Sequence, residues 1–242
     1  MLRFYWVILR NLYHLYMIPQ MEYMARRKGK YTPEMNYRMC QKVIYYMARS
    51  GKIHTDCFGS ENLPKEGGYV MYANHQGKYD ALGIIRNHEQ PCSVVIDDKR
   101  SHVVLTTQFI KLLEGIRLKK DDMRQSVALF NEMVEKISQG IKYIIFPEGG
   151  YDHNGNQMRE FKSGAFKCAV KAKAPIVPVA LIDSYKVFEG NSLAPVNTQV
   201  HYLEPLYFEE YQGLKTREIS EIVKQRIADK INEIISETAP NQ

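Results

Sequence analysis

The sequence predicts an α/β fold in which helices flank a mostly parallel central sheet. Two observations lead to this prediction. After residue 51, short β-branched runs alternate with amphipathic helical stretches. No internal repeat or low-complexity linker interrupts this alternation. The 242 residues are 45% hydrophobic and 25% charged, which is enough apolar sequence for one sizeable core.

The elements follow from local pattern. Short apolar runs rich in β-branched or aromatic residues predict strands over 69–72, 93–96, 143–146, 176–182 and 199–203. Apolar residues at helical spacing predict helices over 81–88, 102–113, 123–138 and 163–173. A last amphipathic helix over 216–236 is expected to cover the sheet.

The first 50 residues have a different character. Residues 1–18 are apolar and aromatic, but Arg3, Arg10 and His14 interrupt them, and Pro19 is predicted to end this helix. A helix that spans a bilayer needs about 20 mostly uncharged residues, so we do not expect a membrane span here. No small-residue cleavage site follows that would indicate a secretory signal.

A basic run, residues 26–30, follows this apolar segment, and a second helix is predicted over 34–49. Aromatic and aliphatic side chains beside a basic cluster favour helices that lie in the interface of an anionic membrane. We therefore predict a two-helix membrane-binding motif at 1–50 and an α/β domain at 51–242, associated with the cytoplasmic face of the cell membrane. The alternative is that these helices pack only on the core.

The net charge of +6 and the pI near 9.0 indicate anionic partners such as phosphate groups, nucleic acid or an acidic lipid surface. Nucleic acid is not supported as a partner, because the sequence contains no nucleic-acid-binding motif. The four cysteines, Cys40, Cys57, Cys92 and Cys168, form no C-x-x-C pair. Neither a metal site nor a disulfide framework is predicted, and free thiols are expected.

The segment after strand 69–72 places His75 and Asp80 five residues apart. On one ideal helix these side chains would point about 140° apart. They can meet if His75 lies on the loop that leaves the strand and Asp80 lies near the start of the next helix, with Gly77 allowing the turn. The pair then resembles half of a catalytic triad, in which the aspartate orients the imidazole. The alternative is a polar loop histidine with Asp80 as a helix N-cap.

A second candidate block follows strand 143–146, which breaks at Pro147. Glu148 then lies just beyond a strand end, where its carboxylate can hydrogen-bond a substrate hydroxyl. Gly149 and Gly150 permit close approach of a ligand to the backbone. A third block is the buried strand 176–182, which Pro178 interrupts.

Together these blocks resemble the glycerolipid acyltransferase family, which includes the lysophosphatidic acid acyltransferases. The family's N-H-x4-D block is matched by Asn74, His75 and Asp80, and its F-P-E-G block by residues 146–149. Its V-P-V-A-like strand is matched by residues 177–180. The resemblance covers about residues 58–206 and includes the membrane-binding amino terminus of bacterial members.

The resemblance implies a reaction and a set of roles. A fatty acyl group passes from acyl-CoA or acyl carrier protein to the sn-2 hydroxyl of lysophosphatidic acid, giving phosphatidic acid, with no metal or other cofactor. His75 acts as the general base and Asp80 orients it. Glu148 positions the acceptor glycerol. Asn74, Gly149, Gly150 and Pro178 complete the substrate-binding residues implied by the matched blocks.

Two departures concern the acceptor phosphate. A further family block, which lies between N-H-x4-D and F-P-E-G, usually contains an arginine that contacts this phosphate. Here Lys120 takes its place, with Arg117 and Lys119 nearby. A lysine binds phosphate as a point charge and lacks the guanidinium fork.

The other departure is in the F-P-E-G block, which commonly continues Thr-Arg where this chain has Gly150 and Tyr151. Arg159 and Lys162 are candidates to compensate for the missing basic residue.

Three alternatives stay open at this point. The same chemistry can act on another lysophospholipid or on a lipid amine. A non-catalytic lipid-binding protein can retain the fold. A serine hydrolase would need G-x-S-x-G, and Ser163, in F-K-S-G-A, lacks the first glycine.

Overall fold

The computed structural model describes residues 1–27, 29–119 and 123–238. Within these ranges, seven strands form one sheet in the order β1-β7-β6-β2-β5-β3-β4. The strands are β1 (Ile53–Phe58), β2 (Val70–Ala73), β3 (Cys92–Asp97), β4 (Ile116–Leu118), β5 (Lys142–Ile145), β6 (Ile176–Ile182) and β7 (Val196–Tyr202).

Strand direction confirms the predicted mostly parallel sheet. β6, β2, β5, β3 and β4 run parallel to one another. β7 pairs antiparallel with β6, and β1 pairs parallel with β7, so these two strands at one side of the sheet run the opposite way. The carboxyl ends of β2, β5 and β6, which are neighbours at the centre of the sheet, therefore meet at one edge.

Helices pack on both faces of the sheet. In the described part of the chain they are α1 (Leu2–Arg10), α2 (Met17–Arg26), α3 (Pro33–Ser50), α4 (Asp80–Asn87), α5 (Thr106–Leu112), α6 (Met123–Ser138), α7 (Lys167–Ala172), α8 (Lys186–Glu189), α9 (Phe208–Tyr211) and α10 (Thr216–Thr238). Single 3-10 turns occupy Leu12–His14, Ser60–Asn62, Asp98–Arg100 and Ser163–Phe166.

Alternation along β2 separates two cores. Met71 packs with α2, α3, α4 and α5 on one face, and Tyr72 packs with α6, α7 and α10 on the other. This is the period of two that a strand buried on both faces requires. Because α2 and α3 contribute Met21 and Ile44 to the first core, the amino-terminal helices and the sheet share one apolar interior.

The amino-terminal segment departs from the prediction in its helix boundaries. α1 ends at Arg10, and Pro19 does not end a helix but lies in the first turn of α2. Proline is tolerated there because the first turn of a helix has no intrahelical partner for the N–H that proline lacks. No helix in the described ranges has both the length and the apolar character needed to cross a membrane.

Two other predictions about elements need correction. The helix predicted over 102–113 begins only at Thr106, because Leu105 has a left-handed φ of 74° that no continuous helix allows. The helix predicted over 163–173 starts as a 3-10 turn and becomes α-helical at Lys167. The expectation of free thiols is confirmed, since all four cysteines are unpaired.

Candidate active site

The candidate site lies where β2, β5 and β6 end. His75 follows β2, Glu148 follows β5 and Ser184 follows β6. In an open α/β sheet, the crevice beyond the carboxyl ends of the strands is the usual location of ligand sites. Three loops thus converge on His75 from neighbouring strands.

His75 and Asp80 are in direct contact. The Nδ1 atom of His75 lies 2.7 Å from Oδ2 of Asp80, which is the first residue of α4. The aspartate side chain is fully buried, whereas 18% of the histidine side chain is exposed. Within the described residues, Nε2 of His75 has no hydrogen-bond partner. The loop-and-helix arrangement inferred from the sequence therefore brings the pair together.

The Asp80 carboxylate is held by several further donors. Its Oδ2 accepts hydrogen bonds from the backbone N–H groups of Gln76 (2.6 Å) and Gly77 (2.9 Å). Its Oδ1 accepts a hydrogen bond from the Ser184 hydroxyl at 2.6 Å. A buried carboxylate needs such donors to retain its charge. The plane of the carboxylate, and with it the direction of the imidazole, is consequently fixed.

The prediction that Gly77 is needed to allow the backbone turn between His75 and Asp80 is wrong. Its φ does not lie in the left-handed region that favours glycine. A Cβ atom at this position would meet nothing closer than the Cα atom of Tyr185 at 3.7 Å. Gly77 therefore contributes its N–H to Asp80 and no special backbone freedom.

Glu148 ties two loops together through its side chain. Its Oε1 accepts a hydrogen bond from the backbone N–H of His75 (2.8 Å), and its Oε2 accepts one from the backbone N–H of Arg159 (3.1 Å). The residue is only 3% exposed, and this burial raises the pKa of its carboxyl, while the two backbone hydrogen bonds oppose the shift. Both oxygens are thus engaged with the backbone, and the predicted contact with an acceptor glycerol stays a prediction.

Two aromatic rings hold the imidazole from different sides. Phe146 stacks on His75 with ring centroids 4.3 Å apart and an interplanar angle of 23°. Tyr151 meets the same ring edge-on at 4.7 Å. The guanidinium of Arg100 lies over the Tyr151 ring, 5.5 Å from its centroid. Tyr151, which occupies the position of the missing arginine, therefore contacts both the histidine ring and another arginine.

Asn74 and Pro178 belong to the sheet in this structure. The Asn74 side chain exchanges two hydrogen bonds with the backbone of Leu181, at 2.9 and 2.7 Å, and is buried. It extends the pairing of β2 with β6 beyond the strand end. Pro178 is buried within β6 beside Tyr72, and its carbonyl accepts a hydrogen bond from Leu203 at 3.0 Å. Substrate contacts of these two residues stay predictions.

The two glycines after Glu148 differ in their environment. Gly149 has a φ of 72°, and a Cβ atom there would lie 2.8 Å from the ammonium group of Lys162. The space above this glycine is thus taken by a lysine of the same chain. Gly150 is less constrained, since its nearest neighbour would be the Arg159 guanidinium at 3.6 Å.

The basic residues predicted for the acceptor phosphate are only partly described. Arg117 lies on β4, and its Nε donates to the Ser101 hydroxyl at 2.8 Å. Ser101 directly follows Arg100, so the two arginines flank one buried serine. Lys120 lies outside the described residues.

Sequence reasoning missed Ser184, Gln76 and Arg100. Each lies within a few residues of the carboxyl end of a parallel strand, at the edge of the sheet where His75 lies. The rule that ligand sites collect at these strand ends, applied to β6 and β3 as well as β2 and β5, would have found them. In the described ranges no group of three or more His, Cys, Asp or Glu residues is placed to hold a metal ion.

A three-layer α/β fold with a His–Asp pair at the carboxyl end of a central strand suits general-base catalysis. The chain belongs to the Acyltransferase family, whose model matches residues 54–182, a range that contains all three predicted motif blocks. The family resemblance drawn from these motifs is thereby confirmed.

Curated relatives carry one recurrent name. The 1-acyl-sn-glycerol-3-phosphate acyltransferase of Saccharomyces cerevisiae is 28% identical over 185 residues, covering 73% of this chain and 59% of that enzyme. The Borreliella burgdorferi protein of that name is 26% identical over 202 residues, covering 81% of this chain and 78% of the relative. The mouse alpha form is 27% identical, with 64% of this chain and 55% of that enzyme covered. The chain thus spans less than two thirds of the yeast and mouse enzymes.

The fold also matches a solved structure. The crystal structure of the 1-acyl-sn-glycerophosphate (LPA) acyltransferase from Thermotoga maritima superposes with a TM-score of 0.76. The match covers 96% of this chain and 95% of that protein at 18% identity. The shared architecture therefore includes the amino-terminal helices.

Proposed function

We propose that this protein is an O-acyltransferase that moves a fatty acyl group from an acyl thioester to the sn-2 hydroxyl of 1-acyl-glycerol-3-phosphate, producing phosphatidic acid. The 2.7 Å contact between Nδ1 of His75 and Asp80 carries this proposal, since it leaves the other imidazole nitrogen available for a substrate. Membership of the Acyltransferase family and the names of the curated relatives support it.

The chemistry follows from the tautomer that Asp80 selects. With a proton on Nδ1, Nε2 of His75 is the basic nitrogen and accepts the proton of the acceptor hydroxyl. The hydroxyl oxygen attacks the thioester carbonyl, the C–O bond forms, the C–S bond breaks, and the proton passes to the leaving thiolate. Asp80 stabilises the imidazolium that exists between these two proton transfers. The acyl thioester, acyl-CoA or acyl carrier protein, is a co-substrate, and the proposed steps use no other cofactor.

The acceptor phosphate would bind at the basic rim of the site. The Arg100 guanidinium is exposed and, within the described residues, has no carboxylate partner. In the acceptor, the phosphate and the reacting hydroxyl are joined through the glycerol backbone, so they must bind close together. An anionic acceptor is supported by Arg100 over the Tyr151 ring, by Arg117 at the neighbouring Ser101, and by Lys120 as the sequence predicts.

Membrane association is also proposed, because the first sixteen residues expose an apolar surface. The exposed residues of this surface are Leu2, Tyr5, Ile8, Leu9, Leu12, Tyr13, Leu15 and Tyr16. Exposed apolar patches of this kind mark sites of interaction, and a lipid interface accommodates both the tyrosines and the leucines. Arg27 and Lys30, which lie over the Tyr23 ring, add the positive charge that anionic lipids attract. We propose the cytoplasmic face of the cell membrane as the location.

The test uses the purified protein with lysophosphatidic acid and acyl-CoA, and mass spectrometry detects phosphatidic acid. His75→Ala should reduce kcat by about 10²–10⁴, the usual contribution of a general base. His54→Ala is a matched control, because His54 also contacts an aspartate, Asp56 at 2.9 Å, but on the exposed surface. Near-normal turnover by His75→Ala would contradict the proposal.

The departure in the F-P-E-G block bears on the acceptor. Gly150 and Tyr151 stand in place of a Thr-Arg pair, so one basic contact to the acceptor phosphate is missing. A panel of lysophospholipids and lipid amines, assayed with both donor types, shows which acceptor is used. A product with an amide bond would identify a lipid amine as the acceptor, and complete inactivity with every pair would favour a non-catalytic lipid-binding protein.

A further inference from the structure

Ser184, at the end of β6, contacts the aspartate of the pair from a strand that neither His75 nor Asp80 belongs to. Its hydroxyl donates to Oδ1 of Asp80 at 2.6 Å, the oxygen that His75 does not contact. Its own backbone N–H donates to Oε1 of Gln76 at 2.8 Å. Ser184 is buried, so water cannot replace either interaction easily. The serine is therefore fixed in place and in turn fixes the carboxylate.

The segment that follows Ser184 is fastened to the first helix of the chain. Arg3, on α1, is only 3% exposed, and its guanidinium donates to the carbonyl oxygens of Lys186 and Val187, both at 3.1 Å, and of Ala194. The last carbonyls of a helix have no intrahelical partner, so an arginine that satisfies them fixes the position of α8. The segment from Ser184 to Ala194 is consequently held at both ends.

The helix also touches the loop between the two members of the pair. Phe4 packs edge-on against Phe188 of α8, with centroids 5.6 Å apart. The ammonium group of Lys78, which lies between His75 and Asp80 in the chain, sits 5.0 Å from the centre of the Phe4 ring. α1 thus contacts both the segment that carries Ser184 and the loop that carries the pair.

We infer that α1 is a brace for the catalytic pair: Arg3 holds the 184–194 segment, and Ser184 of that segment positions Asp80. This inference rests on the proposed acyl transfer. It assigns α1 a task besides the proposed membrane contact, because Arg3 and Val7 face the protein while Tyr5 and Leu9 are exposed. The brace should therefore affect turnover even when no membrane is present.

The first experiment tests Ser184 with a monomeric short-chain lysophosphatidate and short-chain acyl-CoA, following thiol release without vesicles. Ser184→Ala removes a hydrogen bond to a charged group and should lower kcat about tenfold or more. The acceptor KM should change little, because Ser184 contacts Asp80 and not the substrate. Ser184→Thr keeps the hydroxyl and should restore most of the lost turnover.

The second experiment uses a double-mutant cycle to test whether Arg3 acts on the catalytic pair through Ser184. Arg3→Met should lower kcat severalfold, whereas Arg10→Met, which removes an exposed arginine of the same helix, should leave the monomer reaction unchanged. In a Ser184→Ala background, Arg3→Met should cost clearly less than in the wild type. Arg3→Lys, which keeps the charge but lacks the fork that reaches several carbonyls, serves as a second variant should Arg3→Met fold poorly.

The outcomes separate the claims. Wild-type kcat in a folded Ser184→Ala variant would contradict the positioning role. Additive effects of the Arg3 and Ser184 substitutions would contradict the brace. An active wild type is required for either conclusion, and an inactive wild type would contradict the proposed function itself. Circular dichroism at the assay temperature shows which variants are folded.

Discussion

The backbone N–H of His75 and the side chain of Glu148 are joined by a 2.8 Å hydrogen bond that links two motifs 73 residues apart in the chain. The other oxygen of Glu148 holds the backbone of Arg159. A glutamate at the end of β5 thus organises the loop that carries the histidine. Its position one strand away from β2 makes this possible, because β2 and β5 are hydrogen-bonded neighbours.

We predict that Glu148→Gln destabilises the protein and slows acyl transfer. Glutamine replaces one accepting oxygen with an amino group, which then faces a backbone N–H of His75 or Arg159. A buried donor without an acceptor costs about 1–3 kcal/mol of unfolding free energy. Denaturant titration measures this loss, and a decrease in kcat should accompany it because the His75 loop loses one support.

Glu160→Gln is the control for this substitution, since Glu160 is a largely exposed glutamate nearby that pairs with Lys224. It should leave stability and kcat close to wild-type values. If Glu148→Gln instead keeps full stability and raises only the acceptor KM, the glutamate contacts the glycerol, as the sequence motif predicts, and is not chiefly a support of the loop.

Arg100 should determine the preference for a phosphate on the acceptor. Removing its guanidinium takes away a charge-assisted hydrogen bond, typically about 1.5–3 kcal/mol, so kcat/KM for lysophosphatidic acid should fall about tenfold or more in Arg100→Ala. Activity with an uncharged monoacylglycerol, however low, should not change. Kinetic assays with both acceptors measure the ratio of kcat/KM for lysophosphatidic acid to kcat/KM for the monoacylglycerol.

The control is Arg217→Ala, which removes an exposed arginine on α10 that pairs with Glu221. Its ratio of activities on the two acceptors should match that of the wild type. Equal losses for both acceptors in Arg100→Ala would show that Arg100 supports Tyr151 and the His75 ring and does not bind phosphate.

Much of the sheet could be predicted from the sequence because its central strands are buried on both faces. Residues 176–182 are apolar throughout and were predicted with the observed bounds. β1 and β4 were missed for physical reasons. β1 contains His54 and Asp56 and has only two buried residues, and β4 has only three residues, two of them partly exposed.

Only the site residues that lie in linear sequence motifs could be predicted from the sequence. His75, Asp80 and Glu148 lie in motifs whose residues are close in sequence. Ser184 contacts Asp80 across 104 residues, and nothing local in its sequence indicates that contact. The strand order places it there, since β6 pairs with β2. Long-range hydrogen bonds of this kind need the topology as well as the motif.

The exposed apolar surface of the first sixteen residues should determine vesicle binding. Tyr13 is 72% exposed, and Tyr13→Asp removes an apolar ring and adds a charge that anionic lipid repels. Burying a large apolar side chain contributes about 1.5–3 kcal/mol, so binding to phosphatidylglycerol vesicles should weaken about tenfold or more. Sedimentation with vesicles measures the bound fraction.

Val127→Asp provides a matched control, because Val127 is an exposed apolar residue on α6, away from the amino terminus. It should bind vesicles as the wild type does. Monomeric substrate should be turned over equally by both variants. A Tyr13→Asp protein with unchanged vesicle affinity would contradict the proposed membrane surface.

His88 should make the folded state sensitive to mild acid. The ring is buried, its Nδ1 lies 2.6 Å from the carbonyl of Gln90, and its Nε2 lies 2.6 Å from the Tyr69 hydroxyl. Nδ1 must therefore carry the proton, and Nε2 accepts from the tyrosine. Burial lowers the pKa of His88 from 6.5 to about 4, because the neutral ring fits this environment and the charged ring does not.

The sign of the effect follows from proton linkage. Below pH 6.5 the unfolded chain binds a proton at His88 that the folded protein does not take up until about pH 4. The free energy of unfolding therefore decreases as the pH is lowered from 6.5 to about 4. Between pH 7 and pH 5 the loss from this one residue is about 2 kcal/mol of unfolding free energy. Denaturant unfolding at the two pH values should show a smaller loss in His88→Gln than in the wild type.

Two comparisons make this prediction specific. His201 is also buried, with its pKa lowered to about 4 by burial, so His88→Gln removes only part of the acid sensitivity and a double variant with His201→Gln should remove more. His54→Gln, at an exposed histidine, controls for the His-to-Gln substitution itself. If His88→Gln loses as much stability from pH 7 to pH 5 as the wild type, the ring is charged in the folded protein and the proposed hydrogen-bond assignment at Tyr69 is wrong.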